Sequence, residues 1–211
     1  MAGRQLNETV ARQRRAALAG YGGDITTARE LLSDVDANVR ATALGALHRL
    51  GALTKKELLI ATRDPNPIVR RRACTESTSW NGSIGDPIDD EIASAIALLL
   101  DDEDISVVEV AAWACGERPP VSNTTIARLS EIATTHDDAL CRESAVAALG
   151  ALGDPSGLPA ILSATTDKAT VRRRAVIALA PFEGPEVDAA IEQATTDRDW
   201  QVRQAAEDLS P

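Results

Sequence analysis

The sequence predicts an all-α fold, a solenoid of stacked helical hairpins, on three observations. A frame of Val, Arg, two variable positions, Ala and an apolar residue recurs along the 211 residues. Apolar residues spaced i, i+3, i+4 fill the intervals between its copies, as an amphipathic helix requires. The alternation of β-branched and polar residues that marks strands never persists.

The first element is an N-terminal helix over about 5–20, which carries the weak copy Gln13-Arg14-Arg15-Ala16-Ala17. Six A/B helix pairs follow, at about 24–51, 54–80, 88–117, 122–152, 155–181 and 184–209. Their second helices hold Val39-Arg40-Ala41-Thr42-Ala43-Leu44, Val69-Arg70-Arg71-Arg72-Ala73-Cys74 and Val171-Arg172-Arg173-Arg174-Ala175-Val176. Weaker copies begin at Val107, Cys141 and Val202. The first helices hold Ala28-Leu31-Leu32, Leu58-Leu59, Ile92-Ile96-Leu99, Ile126-Leu129-Ile132, Leu158-Ile161-Leu162 and Val187-Ile191. First positions at 13, 39, 69, 107, 141, 171 and 202 set a unit of roughly 30 residues. An acid stands five residues ahead of the frame at Asp34, Asp64, Asp102 and Asp197. His136 and Thr166 take that place in two units, with Asp137 and Asp167 next to them. Because a carboxylate accepts free amide N–H groups and complements the helix dipole, this acid is expected to open each second helix.

The D-x-x-x-x-V-R-x-x-A frame followed by Leu-Gly, as in Leu44-Gly45 and Leu149-Gly150, resembles the HEAT-repeat family. The likeness is to the short bacterial HEAT-like repeats named after phycobilin lyases, and it covers nearly all of the chain. It implies a right-handed solenoid with A helices on the convex side and B helices lining the concave side, so the whole chain is read as one repeat domain. Neither the ankyrin T-P-L-H string nor the tetratricopeptide W-x-x-L-G-x-x-Y string occurs.

Stacked repeats bury what no single hairpin can bury alone. Arg40, Arg70, Arg142, Arg172 and Arg203 recur at a fixed position and are expected to bond laterally to the recurring acids as a ladder. At about 100° per residue, frame positions 0, +4, +7 and +8 share the core side, while +2, +6 and +9 look into the groove. The +2 column reads Arg15, Ala41, Arg71, Glu109, Glu143, Arg173 and Gln204. The +6 and +9 columns hold Trp113 and His48. Trp113 is either an exposed anchor flanked by Glu109 and Glu143, or a core residue if the register slips in a copy where Val108 replaces the ladder Arg. The 38-residue spacing between Val69 and Val107 places an inserted stretch over 77–87. Its Trp80 is either presented by that loop or closes the preceding helix. The candidate groove is thus Trp113, Glu109, Glu143, Arg71, Arg173, His48 and Trp80. A second loop, 117–122, is stiffened by Pro119 and Pro120 and reads as a spacer.

Composition limits the chemistry. Hydrophobic residues are 44% but aromatics only 2%, and 22 basic against 32 acidic residues give a net charge of −10. That balance excludes a generally basic nucleic-acid protein and disfavours an anionic membrane. With no apolar run of membrane-spanning length and no signal-peptide core, the chain is read as cytoplasmic. Cys74, Cys115 and Cys141 fall on or beside the core face at spacings that suit neither zinc nor a disulfide framework. His48 and His136 lack metal-motif context, and neither phosphate-binding glycine loop nor nucleophile elbow occurs. The acids Asp101-Asp102-Glu103-Asp104 read as a solvated turn. No catalytic residue, cofactor or metal is expected.

The leading expectation is a non-enzymatic scaffold that takes a protein or peptide in its groove. A nucleic-acid reading, by likeness to alkylpurine DNA glycosylases, rests on Arg12, Arg14, Arg15, Arg71, Arg72, Arg173 and Arg174, with Trp113 one turn before Glu117. It is opposed by the acidic middle of the groove. A bilin-lyase-like chromophore chaperone rests on family likeness alone, and fold likeness does not license function.

Overall fold

A computed structural model of the chain describes residues 2–81, 88–119 and 121–209, the first five as backbone only. Residues 82–87 of the inserted stretch, Pro120 of the second loop and Pro211 in the +9 column lie outside the described residues. Thirteen α-helices, and no strand, are present among those described. Contacts group them into two compact units, one of residues 1–84 with 89–96, the other of 85–88 with 97–211.

The first unit opens with α1 (Ala2–Gly22), followed by α2 (Ile25–Glu30), α3 (Ala37–Arg49), α4 (Lys55–Ala61) and α5 (Pro67–Ser77). α6 (Asp90–Leu98) contributes residues to both units. The second unit continues with α7 (Ile105–Glu117), α8 (Asn123–Thr135), α9 (Ala139–Leu152), α10 (Leu158–Ala164), α11 (Ala169–Ala178), α12 (Pro185–Ala194) and α13 (Trp200–Glu207). Within the first unit the B-type helices α1, α3 and α5 pack in succession, and within the second α7, α9, α11 and α13 do the same. The expected core positions fill these contacts: Val39, Ala43, Ala46 and Leu47 of α3 are all buried, as are Val171, Ala175, Ala178 and Leu179 around α11.

One local expectation is corrected. The residue that opens each B helix stands three places ahead of the frame, not five. Asp36, Asn66, Asp104, Asp138 and Asp199 accept the amide N–H two residues on and are the N-caps. The acid at −5 makes a turn that presents the cap, its Oδ1 accepting from the cap's own N–H: Asp34 from Asp36 at 2.9 Å, Asp64 from Asn66 at 2.9 Å, Asp197 from Asp199 at 2.7 Å.

The ladder uses both oxygens of the acid, Oδ1 shared with the cap's N–H and Oδ2 free for the arginine. Arg40 forks onto Asp64 through Nε and Nη2 at 2.9 and 2.7 Å, and Arg172 onto Asp197 at 2.8 and 2.7 Å. Arg142 does the same to Asp167 at 2.6 and 2.8 Å. The third guanidinium nitrogen donates to a carbonyl of the Arg's own turn, as from Arg40 to Asp34 O and from Arg172 to Asp167 O. Each rung therefore fixes two successive turns at once.

The first rung also resets the register of α1. It is made by Arg12, which pairs with Asp34 at 2.7 Å, not by Arg14. Gly20 of α1 meets Ala46 as Gly116 of α7 meets Ala148 and Gly150 of α9 meets Ala178. The rung and the glycine contact thus each fall two residues earlier than the copy read at Gln13 places them, while Ala16 is the α1 residue buried against Val39 and Ala43.

The glycine contacts set how closely B helices approach. A Cβ on Gly150 would come within 2.6 Å of Ala178 Cβ and 2.7 Å of its Cα. The obstacle is backbone of the facing helix, which cannot swing aside. Gly150→Ala is therefore expected to lower stability by roughly 1–3 kcal/mol through overpacking, against about 1 kcal/mol of gained helix propensity. A thermal melt that rises instead would show that α9 and α11 separate freely.

Candidate functional site

Outward positions of the second unit's B helices form one exposed row. On α7, Trp113 is 36% exposed, with Glu109 half-buried one turn earlier. Glu143 on α9 is half-buried and pairs with Arg174 of α11 at 3.4 Å. Arg173 and Ile177 of α11, and Ala180 in the turn after it, are exposed at the +2, +6 and +9 places. Between α11 and α13 a hollow of about 370 Å³ is lined by Arg173, Ile177, Ala180, Trp200, Gln204 and Asp208. Trp200, 64% exposed, escapes a frame counted from Val202 because it is the first residue of α13. Its signal in the sequence is an aromatic directly after the cap Asp199.

Arg173 has no ion-pair partner among the described residues. Asp208, on the facing helix, accepts from Gln204 Nε2 at 2.9 Å. The hollow thus joins an apolar floor to a solvated cation on the α11 wall and to Asp208 on the other, so an apolar side chain with a carboxylate beside it fits against the Arg173 wall.

The other three candidate residues belong to the first unit. Arg71 on α5 is exposed. Trp80 is 9% exposed, and its indole Nε1 donates to Leu53 O at 2.8 Å. Its ring lies inside the unit, closing the end of α5, so it offers no surface to a partner. His48 is tied into a network that the sequence did not reveal. Its Nδ1 meets the Glu76 carboxylate, which also takes Arg72, and its Nε2 lies 3.3 Å from Ser79 Oγ. The Arg72 guanidinium covers Gly45, leaving no room for a Cβ there. On α3 the outward column is consequently buried at Ala41 and Gly45.

Burial raises the pKa of Glu76, but the His48 hydrogen bond and the Arg72 charge outweigh it and hold the carboxyl below its ordinary 4.5. A depressed carboxyl stabilises the fold above its unfolded value and loses that contribution as pH falls through the folded one. Glu76→Gln is expected to unfold more readily at pH 7 and to lose less further stability between pH 5 and 3 than wild type does. Urea titrations at the two ends of that range measure the difference.

The cysteines offer no nucleophile. Cys74, Cys115 and Cys141 are buried and none of them forms a disulfide among the described residues, and burial pushes the Cys115 thiol up to about 12 and Cys141 to about 11. No group of three or more metal-ligating side chains is gathered among the described residues. Of the arginines read for phosphate contact, Arg12, Arg72 and Arg174 are in ion pairs with Asp34, Glu76 and Glu143. A second hollow, of about 560 Å³, follows α1 past Val10, Arg14, Arg15 and Leu18 to Asp24 and Thr27. No described helix is long and apolar enough to cross a membrane.

Comparison with known proteins finds HEAT repeats at residues 55–150 and 126–210. No curated protein matches the chain. Among solved structures, YibA of E. coli is similar with a TM-score of 0.62 at 17% identity, over 85% of this chain and 67% of that one. Two engineered proteins are similar at TM-scores of 0.61 and 0.56, with 20% and 17% identity. They cover 88% and 87% of this chain and 96% and 94% of their own. At such identities these likenesses show the fold. With the repeats matched without a break from 55 to 210, over the helical hairpins and Arg–Asp rungs described above, the chain belongs to the HEAT-repeat family.

Proposed function

We propose that this protein is a non-enzymatic scaffold that binds a protein or peptide on the exposed row of its second unit's B helices. The observation that carries the reading is Trp113, a large aromatic about a third of which is exposed, in a chain that is 2% aromatic. Tryptophan and arginine dominate interface energetics when they fill or line a partner's pocket, and Trp113, Trp200 and Arg173 all stand on this row. Side chains on helices need little ordering on binding, which favours a preorganised surface. Neutralised arginines and half-buried carboxylates weigh against phosphate backbones as the partner, whose affinity would grow with each free cation.

Selection of a displayed 12-residue peptide library on the full chain tests the proposal. Selected peptides are expected to bind wild type and to weaken by roughly 10–30-fold with Trp113→Ala, the loss of one hot-spot residue. Failure to enrich any peptide, or binding indifferent to Trp113→Ala, would overturn it.

A further inference from the structure

The row does not have one chemical character along its length. At the α7 end, the apolar indole of Trp113 stands with Glu109, a carboxylate without an ion-pair partner among the described residues. Glu143, the neighbouring acid on α9, is already shared with Arg174. At the α11–α13 end, Ile177 and Trp200 flank the hollow, and Arg173 is the cation left unneutralised there. Between the ends, α9 presents half-buried Ala147, which does not project far enough to block a chain passing over it.

On this basis, and resting on the peptide-binding reading above, we propose that the ligand is a bipartite peptide. A basic residue next to an apolar one seats at Trp113 and Glu109. An apolar residue next to an acidic one seats in the hollow beside Arg173. The spacing follows from packing geometry. Successive packed helices lie ~8–10 Å apart, so the path from α7 to the groove between α11 and α13 is ~20–25 Å. An extended chain advances ~3.3 Å per residue, which places the two apolar anchors about six to eight residues apart. The hollow is near the lower end of the ~300–1,000 Å³ range of small-molecule sites, suited to one or two side chains. Charges at the two ends then select which anchor goes where, since electrostatic complementarity governs register and partner choice more than gross affinity. The chain direction is left free, because a peptide reversed end to end still offers one basic and one acidic anchor.

Fluorescently labelled peptides acetyl-Lys-Leu-(Ser-Gly)₃-Leu-Asp-amide, and its counterparts with Lys at both ends or Asp at both ends, test this by anisotropy on the full chain. The mixed-charge peptide is expected to bind roughly tenfold tighter than either like-charged one. Arg173→Glu, an exposed substitution that spares the fold, is expected to turn the preference to the Lys/Lys peptide. Glu109→Lys is expected to turn it to Asp/Asp, with Glu109→Gln abolishing the preference for lysine should the charge reversal unfold the helix. Equal binding of all three peptides, still weakened by Trp113→Ala, would overturn the bipartite ligand and leave the scaffold reading standing. No binding by any of them, while library peptides bind at Trp113, would likewise overturn it. Failure of both probes and library would remove the scaffold reading too.

Discussion

Replacing Arg172 with alanine is expected to destabilise the second unit by roughly 3 kcal/mol, the low end of the cost of breaking a buried ion pair by removing one partner. The side chain is 6% exposed and makes three bonds, two to Asp197 and one to the Asp167 carbonyl. Its loss leaves the carboxylate of Asp197 facing an emptied space, although that group retains some water and the N–H of Asp199. Arg203→Ala supplies the comparison. Its guanidinium donates to the Asp197 carbonyl, and losing one such bond costs about 1 kcal/mol. Urea unfolding at pH 7 that gave equal losses for the two variants would show that the Arg172 fork adds nothing. The guanidinium also holds the Asp197 carboxyl below its ordinary 3.8. The rung's contribution is therefore complete above 3.8 and is lost as pH falls through the depressed folded value. The difference between wild type and Arg172→Ala should shrink in acid.

Why the rungs were legible while their local wiring was not follows from the residues themselves. Asp34 and Asp36, Asp64 and Asn66, and Asp197 and Asp199 all carry oxygens suited to a helix cap. Propensity does not rank two such residues two places apart. Only the course of the backbone decides that the first turns and pairs while the second caps. Arg12 and Arg14 pose the same ambiguity on α1, resolved by Asp34 and by the contact of Gly20 with Ala46. Trp113 left two readings open because its copy lacks the ladder arginine, and the burial of Val107 fixes its place through the fixed turn of the helix. Trp80 left two readings open because the end of a helix has no such rule. The partners of His48 were hidden for another reason: Glu76 and Arg72 reach it from the next B helix, and the sequence states no side-chain direction between helices.

The same rules indicate how a missing rung can be installed. Val108, 3% exposed, stands where the other B helices carry arginine, and His136 stands where they carry the acid. His136 already does half of the acid's work, its Nδ1 accepting from the N–H of Asp138 at 3.1 Å as Asp197 Oδ1 accepts from Asp199. His136→Asp alone is thus expected to change stability by less than about 0.5 kcal/mol, an ordinary surface-substitution effect. Val108→Arg alone buries a charge opposite an imidazole and is expected to cost several kcal/mol, on the order of the 3–5 kcal/mol of an uncompensated buried charge. The double variant offers the fork that Arg142 and Arg172 use, so it should recover most of that loss. The expected coupling between the two sites is up to about 3 kcal/mol, large for contacting residues. A double-mutant cycle by urea unfolding measures it. Additive losses would mean that the turn at His136 lies out of reach of position 108, and that the longer A helix of this repeat, α8, has displaced the acid's station from its place in the ladder.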